Sequence, residues 1–364
     1  MSGIFNQPRM RLLANGVALP VLRADVRQTG YYGASTFSAT LAVFRDTAHG
    51  PAFWAGSDTY DVELQGGFLA AGAAEGSASW QSLFMGQADE ELEIDLDCGT
   101  VSLQGRDYSG KLMDAKTAET FSNQTLAQIA TTLAGRVGLQ AEVSSTSQLA
   151  GQFYEIDHAR TAHDIFSRSS SYWELITYLA QQEGYDVWVD GMTLYVQPKD
   201  AASTTPAFTV QSSQPSLSGS ADYGRVANVQ RLALTRRPAL AKDVQVTVKS
   251  WGGKSKAMVS GKDGPASAIQ KVIKTFPNLT QAQCAVMART IRADLGRHER
   301  GVHFGMPGEF TLRPRDAIAV RGTGTAFDTI FYISEIDRSY SDKAGFWQSV
   351  LARNLPPQSD QGAP

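Results

Sequence analysis

The alternation of apolar and polar positions is clearest in "TFSATLAVF", where Phe37, Ala39, Leu41 and Val43 alternate with Thr36, Ser38 and Thr40. A period of two predicts a strand with one buried face. "ELEIDLD" alternates in the same way, with Leu92, Ile94 and Leu96 inward and Glu91, Glu93, Asp95 and Asp97 outward. "MRLLANGVALPVLRADV" carries a hairpin signal at Asn15-Gly16, because a type I′ turn needs positive φ at both central residues. The first hundred residues therefore read as a β sandwich or barrel ending near "GRDYSG".

The period then lengthens. In "SNQTLAQIATTLAGRVGL", Leu126, Ile129, Ala130, Leu133 and Val137 form one helical stripe, with Ser122 as the cap and Gly138 as the stop. Ser171 and Glu174 make an S-x-x-E capping box, opening a helix that buries Tyr172, Leu175, Ile176 and Leu179 and ends at Gly184. "YDVWVDGMTLYVQP" follows as a hairpin turning at Asp190-Gly191. The Trp, Tyr and acidic residues of 169–198 have the ingredients of a binding cleft, yet the rings sit at core spacing and read as packing. The Ser-, Thr- and Pro-rich segment 199–224 reads as a connector. Strands resume at "RVANVQRLALTRR" and "DVQVTVKSW". A helix capped by Thr280 and Gln283 follows, striped by Cys284, Met287, Ala288, Ile291 and Leu295. "AIAVRG", "TIFYISEIDRSY" and "FWQSVLARN" are the last strands, before a tail "PPQSDQGAP" expected to be disordered.

Composition narrows the class. With 364 residues, 42% hydrophobic and 19% charged, the chain has room for two to four globular domains. Its net charge of −3 does not advertise nucleic acid or an anionic membrane as a partner. The first residues lack the apolar core of a signal peptide, and no apolar run approaches the roughly 20 residues of a spanning helix. Cys98 and Cys284, far apart, point to a reducing compartment without a disulfide framework.

The motifs with chemical potential fail on spacing. "HERGVH" misses the i, i+4 geometry of H-E-x-x-H, since Val302 stands where His303 should be. "WGGKSK" lacks the leading Gly of a phosphate loop, where Val248 stands, and "RGTGTAFD" lacks the third Gly of a dinucleotide fingerprint. His158 and His163 lie beside Asp157 and Asp164 with no nucleophile elbow, and Thr161 with Asp164 reads as a helix cap. No catalytic, cofactor or metal residue is assigned. The six acids of "ADEELEIDLD" either coat a solvated strand or face a lumen from which DNA is repelled. Glu91, Glu93, Asp95 and Asp97 are the candidate channel-facing residues.

A resemblance enters at "SLQGRDYSGKLMDA". A strand ending in Gly105-Arg106-Asp107, then Ser109-Gly110, Leu112 and Asp114, resembles the junction after the first domain of phage baseplate hub proteins, relatives of late control protein D and of the Mu-type tail hub. The helix with Leu126, Ile129, Ala130, Leu133, Gly138 and Leu139, the second helix with its Asp-Gly hairpin, and the C-terminal stretch from "GEFTLRPRD" onward, with Tyr332, follow in the same order.

The resemblance implies an α+β fold: two β-barrel tube-like domains with inserted mixed α/β domains. Residues 1–106 would form the first barrel, 107–200 an α/β insertion and 201–224 a connector. The second barrel would occupy 225–354, interrupted by a helical insertion around 252–299, with 355–364 a disordered tail. It further implies a structural protein rather than an enzyme: a homotrimer forming a pseudo-sixfold ring, without cofactors. The expected partners are a separate spike protein, a tail tube or tube-initiator protein, other baseplate proteins and the tape measure protein. DNA would be met only in transit, and no membrane insertion is expected. The expected location is the virion tail baseplate, after assembly in the host cytoplasm. Type VI secretion spike relatives continue into an OB-fold and a β-helical needle. This sequence stops at Pro364, so a separate needle and a phage-type hub are expected. Two rivals remain: a tail-associated cell-wall hydrolase using His158 and His163, and a carbohydrate- or receptor-binding module suggested by six Trp and twelve Tyr.

Overall fold

In a computed structural model of the chain, residues 6–43, 49–70, 79–119, 121–147, 149–150, 170–199, 203–213, 226–238, 244–251, 257–276, 279–296 and 299–354 are described. The N-terminal strands are β1 (Asn6–Ala14), β2 (Val17–Thr29), β3 (Thr36–Ala42), β4 (Tyr60–Ala70), β5 (Gln81–Asp95) and β6 (Thr100–Asp107), with a one-turn helix α1 (Pro51–Trp54). Their spatial order is β1-β4-β5-β6-β3-β2, and β2 pairs again with β1 from Arg11↔Pro20 to Ala14↔Val17. The turn closing that hairpin has Asn15 at φ 48° and Gly16 at φ 85°, the positive pair expected of the Asn-Gly signal. Leu12, Val26, Phe37, Leu41, Leu64, Val101 and Leu103 fill the interior of this ring of strands.

A first inserted unit follows. It holds α2 (Ser109–Asp114), β7 (Lys116–Thr117), β8 (Gln124–Thr125), α3 (Leu126–Arg136), β9 (Gln140–Val143), β10 (Leu149–Ala150), β11 (Ser170–Ser171), α4 (Tyr172–Glu183), β12 (Tyr185–Asp190) and β13 (Thr193–Pro198). Ser171 and Glu174 form the expected capping box on α4, and Gly184 ends it at φ 79°. The cap of α3 is Thr125, not Ser122, and is completed by Gln128. Ser122 lies outside because residues 124–125 are drawn into a strand pair with 149–150 before the helix begins. Trp173, absent from the expected stripe, is buried in the core with Leu175, Ile176 and Leu179, while Tyr172 is only half-buried.

The remaining strands of the large sheet are β14 (Phe208–Ser213), β15 (Val226–Ala227), β16 (Gln230–Arg236), β20 (Arg300–Pro307), β21 (Ala317–Arg321), β22 (Ile330–Ser341) and β23 (Gly345–Arg353). Hydrogen bonding runs β15-β14-β21-β22-β23-β20-β16. β15 and β16 follow one another closely in the chain. Between them the Asn228 side chain accepts from the Gln211 N–H at 2.8 Å and donates to the Thr209 carbonyl at 2.8 Å. Val210, Val302, Phe304, Ile318, Phe331, Ile333 and Val350 form a second core within this set. β2 joins both sets: after Pro20 it leaves β1, and Arg23 to Thr29 pair with Ser341 to Glu335 of β22. One 13-stranded, mostly antiparallel sheet results, and the chain is predominantly strand.

Two expectations are corrected here. The connector 201–224 contains β14, which pairs in parallel with β21 and buries Val210 completely. β17 (Val244–Trp251), expected to continue the second β region, instead centres a separate sheet with β18 (Met258–Asp263) and β19 (Gln270–Thr275), covered on one face by α5 (Gln281–Gly296). Alternation alone does not say which sheet a strand joins. Thr280 and Gln283 exchange the expected capping bonds on α5.

Candidate functional site

The outward side chains of the large sheet form one polar face that crosses from the N-terminal strands to the C-terminal ones. Register aligns them in rows: Glu91, Gln104, Ser38, Asp25, Ser339 and Trp347 lie side by side across β5, β6, β3, β2, β22 and β23. A neighbouring row runs Arg106, Thr36, Arg27, Asp337, Ser349. From Glu335 onward in β22 and throughout β23, odd-numbered residues point to this face and even-numbered ones to the core, whereas Phe331 and Ile333, before the bulge, face the core. A shallow groove of about 430 Å³ lies at its centre, lined by Asp25, Arg27, Glu90, Asp337 and Trp347 among others.

Most of its charges are paired. Arg23 meets Asp25 at 2.9 Å, and Arg27 meets Glu335 at 2.9 Å and Asp337 at 3.9 Å. Burial and the neighbouring Glu335 push the Asp337 carboxyl up, against the pull of Arg27 and His303. Arg106 is held by Asp114 at 2.8 Å and Asp89 at 2.6 Å, and these bonds raise its already high pKa. Glu91 accepts only from Gln104 at 3.1 Å, and no cation stands within salt-bridge distance of Glu91 or Glu93 among the described residues. The face is thus acidic where β5 contributes to it.

The expected acids take two positions. Glu91 and Glu93 are exposed on β5, with Leu92 and Ile94 packed inward. The strand ends at Asp95, whose carboxylate accepts from the N–H groups of Asp97 and Cys98 at 2.9 and 2.8 Å. Those bonds hold its pKa below the ordinary carboxylate range. Leu96, expected inward, is 68% exposed, because the turn breaks the alternation there.

Beneath the face a buried cluster joins the two β regions, and nothing in the sequence reading marked it. Arg338 on β22 is 2% exposed. It donates to the Gln28 side chain, to Gln348 Oε1 at 3.2 Å and to the Leu312 carbonyl at 2.6 Å, and faces Glu309 at 3.8 Å. Burial pulls its guanidinium down to about 10, still charged at neutral pH. Arg315 performs a similar office for the first inserted unit. It reaches buried Asp186 on β12 at 3.0 Å and stacks over Trp188 at 4.0 Å, while Tyr32 donates to the Tyr185 carbonyl at 2.8 Å. Arg315 and Tyr32, meeting Asp186, Trp188 and the Tyr185 carbonyl, thus clamp this unit to the sheet.

The discounted motifs can now be placed. The described part of "HERGVH" is strand, not helix, and His303 Nε2 bonds Ser349 Oγ at 2.8 Å on the open face. The Thr323–Asp328 loop is closed by Asp328, which accepts from Thr323 N at 2.9 Å and Gly324 N at 3.0 Å. His158, His163, His298, residues 252–256 of "WGGKSK" and the tail 355–364 lie outside the described residues. Among the described residues no three His, Cys, Asp or Glu side chains cluster as metal ligands, and no helix is long and apolar enough to cross a membrane.

Comparison with solved structures identifies a class of fold: that of bacteriophage tail proteins. The chain is similar to a tail protein from Neisseria meningitidis (TM-score 0.68, 15% identity, covering 96% of this chain and 97% of that one). It is similar also to the 43 kDa tail protein of prophage MuSo2 from Shewanella oneidensis (TM-score 0.63, 16% identity, 95% and 98%). An E. coli component of the type VI secretion system, itself structurally similar to the T4 tail proteins gp27 and gp5, aligns with TM-score 0.51 at 11% identity over 96% of this chain and 77% of that one. These neighbours match the resemblance to baseplate hub proteins read from the sequence. No family model matches the chain, and no curated protein matches it by sequence.

Proposed function

We propose that the chain is a structural hub subunit of a phage tail baseplate, three copies of which form a pseudo-sixfold ring between the tail tube and a separate spike protein. The observation that carries this reading is the fusion of two β units along β2 and β22. Each unit has its own core, and the polar face continues from one to the other. In the first, pairing returns from β2 to β1. In the second, β15 and β16 lie between β14 and β20. Both features support two barrel-like tube domains per chain, and three chains then supply six. The inserted units 107–200 and 244–296 act as braces offering surface to other baseplate proteins.

In this arrangement the polar face lines an axial channel. Glu91 and Glu93 are its unpaired negative charges, and Asp95 and Asp97 stand at its end on the β5–β6 turn. The charge of Glu91 and Glu93 repels the dense phosphate line of passing DNA and keeps transit free of adhesion. No reaction is assigned to the chain; its work is to hold geometry. Gold-labelled antibody against the protein, applied to purified tail particles, tests the reading: label at the distal end of the tube is expected. Particles of normal infectivity that carry no label would overturn it.

A further inference from the structure

The sheet β18-β17-β19 buries one face under α5 through Val244, Val246 and Val248. Among the described residues nothing covers its other face. Register places Gln245, Thr247, Lys249 and Trp251 of β17 beside Met258, Ser260 and Lys262 of β18 and beside Lys271, Ile273 and Thr275 of β19. Trp251 is 48%, Met258 53% and Ile273 60% exposed, a concentration of apolar surface of the kind that marks an interaction site. Three lysines stand among them, without an acid on the face, and none of the three has a carboxylate within salt-bridge distance among the described residues. Trp251 and Met258 pair at one end of the face with Lys249 next to them, and Ile273, Lys262 and Lys271 follow further along it; an exposed apolar group flanked by acids is the complement of such a surface.

The same chain carries that surface elsewhere. At the β5–β6 turn Leu96 is the exposed apolar tip, flanked by Asp95 and Asp97, with Glu93 one step down the strand. The turn is pre-shaped, since Asp95 accepts from the backbone of Asp97 and Cys98. We propose that the Trp251–Met258–Ile273 face of one copy receives the Asp95–Leu96–Asp97 turn of a second copy. Leu96 packs against Trp251 and Met258, the aspartates face Lys249 beside them, and Lys262 and Lys271 extend the positive field along the face. Donor and acceptor patches differ, so the contact is head-to-tail, the kind that forms a ring where its rotation closes. The trimeric ring rests on the hub reading; the choice of these two surfaces does not.

Charge exchange tests it on the full-length chain, with oligomeric state read by sedimentation across a concentration series. The triple variant K249E/K262E/K271E and the double variant D95K/D97K are each expected to weaken self-association about tenfold or more, from like charges opposed across the contact. Both sets combined in one chain should restore it. A zero-length carboxyl-to-amine cross-linker on the unaltered protein, which depends on no variant folding, should join Asp95 or Asp97 to one of the three lysines between copies. Association unchanged in the triple variant, failure of the combined chain to recover, or cross-links from these lysines only to DNA-bound or foreign chains would overturn the proposal. A trimer indifferent to the lysines sinks this contact alone. A wild type that stays monomeric at every concentration, with and without its candidate spike protein, sinks the hub reading with it.

Discussion

Arg338→Met is the most revealing single perturbation of the junction between the two β regions. The guanidinium has no solvent exposure and donates to Gln28 on β2, to Gln348 on β23 and to the Leu312 carbonyl. Methionine fills much of the volume but leaves these three acceptors short of a donor and Glu309 without its cation. Each buried acceptor left unsatisfied costs about 1–3 kcal/mol, and breaking a buried ion pair from one side about 3–5 kcal/mol. The contributions overlap, so a loss of about 3–5 kcal/mol is expected. In guanidinium titrations followed by Trp fluorescence, the transition reporting the large sheet should move down by about 1 M. Arg338→Met with Glu309→Gln removes the stranded carboxylate and should recover part of the loss. A single variant within about 0.5 kcal/mol of wild type, the range of an ordinary surface change, would refute the reasoning.

Further expectations concern charge and packing. Glu309 is half-buried; burial raises its pKa, but bonds from Thr311, Leu312 and Gln348 prevail and hold it below the ordinary 4.5. A depressed carboxylate contributes stability above its unfolded pKa and loses it as pH falls through the folded value. Below about pH 4.5 the wild type should therefore lose stability more steeply than Glu309→Gln, checked by unfolding at stepped pH. Gly261→Ala would place a Cβ 2.1 Å from the Ala285 N, because α5 lies directly on β18 there; about 1–3 kcal/mol of overpacking should appear as faster hydrogen exchange in 244–296. Glu91→Lys with Glu93→Lys should leave the assembled mass unchanged and slow DNA delivery, and unaltered infectivity would remove these acids from the channel.

The local grammar of the fold was legible because it rests on short-range physics. Asn15-Gly16, the Ser171/Glu174 and Thr280/Gln283 boxes and the alternation of Phe37, Ala39 and Leu41 all appear where chain chemistry places them. Long-range decisions were not legible. Nothing local tells Val244–Trp251 to leave the large sheet, or Phe208–Ser213 to enter it in parallel. Of the candidate site, the β5 acids were visible, whereas the rest of the face arises only when β2 switches partner from β1 to β22. Arg338 falls in phase with Ile336 and Tyr340, yet a charged residue in a strand reads as surface unless its partners, distant in sequence, are known. Leu96 misled for the opposite reason, since its period continues past the point where Asp95 turns the backbone.

The central claim is a ring of three chains around an axial opening. The most direct test is the mass of the full-length protein in solution by light scattering, alone and with its candidate spike protein. The account predicts three times 39.3 kDa, either for the protein by itself or in the presence of the spike. A species that remains at 39.3 kDa and ignores every tail partner would contradict it.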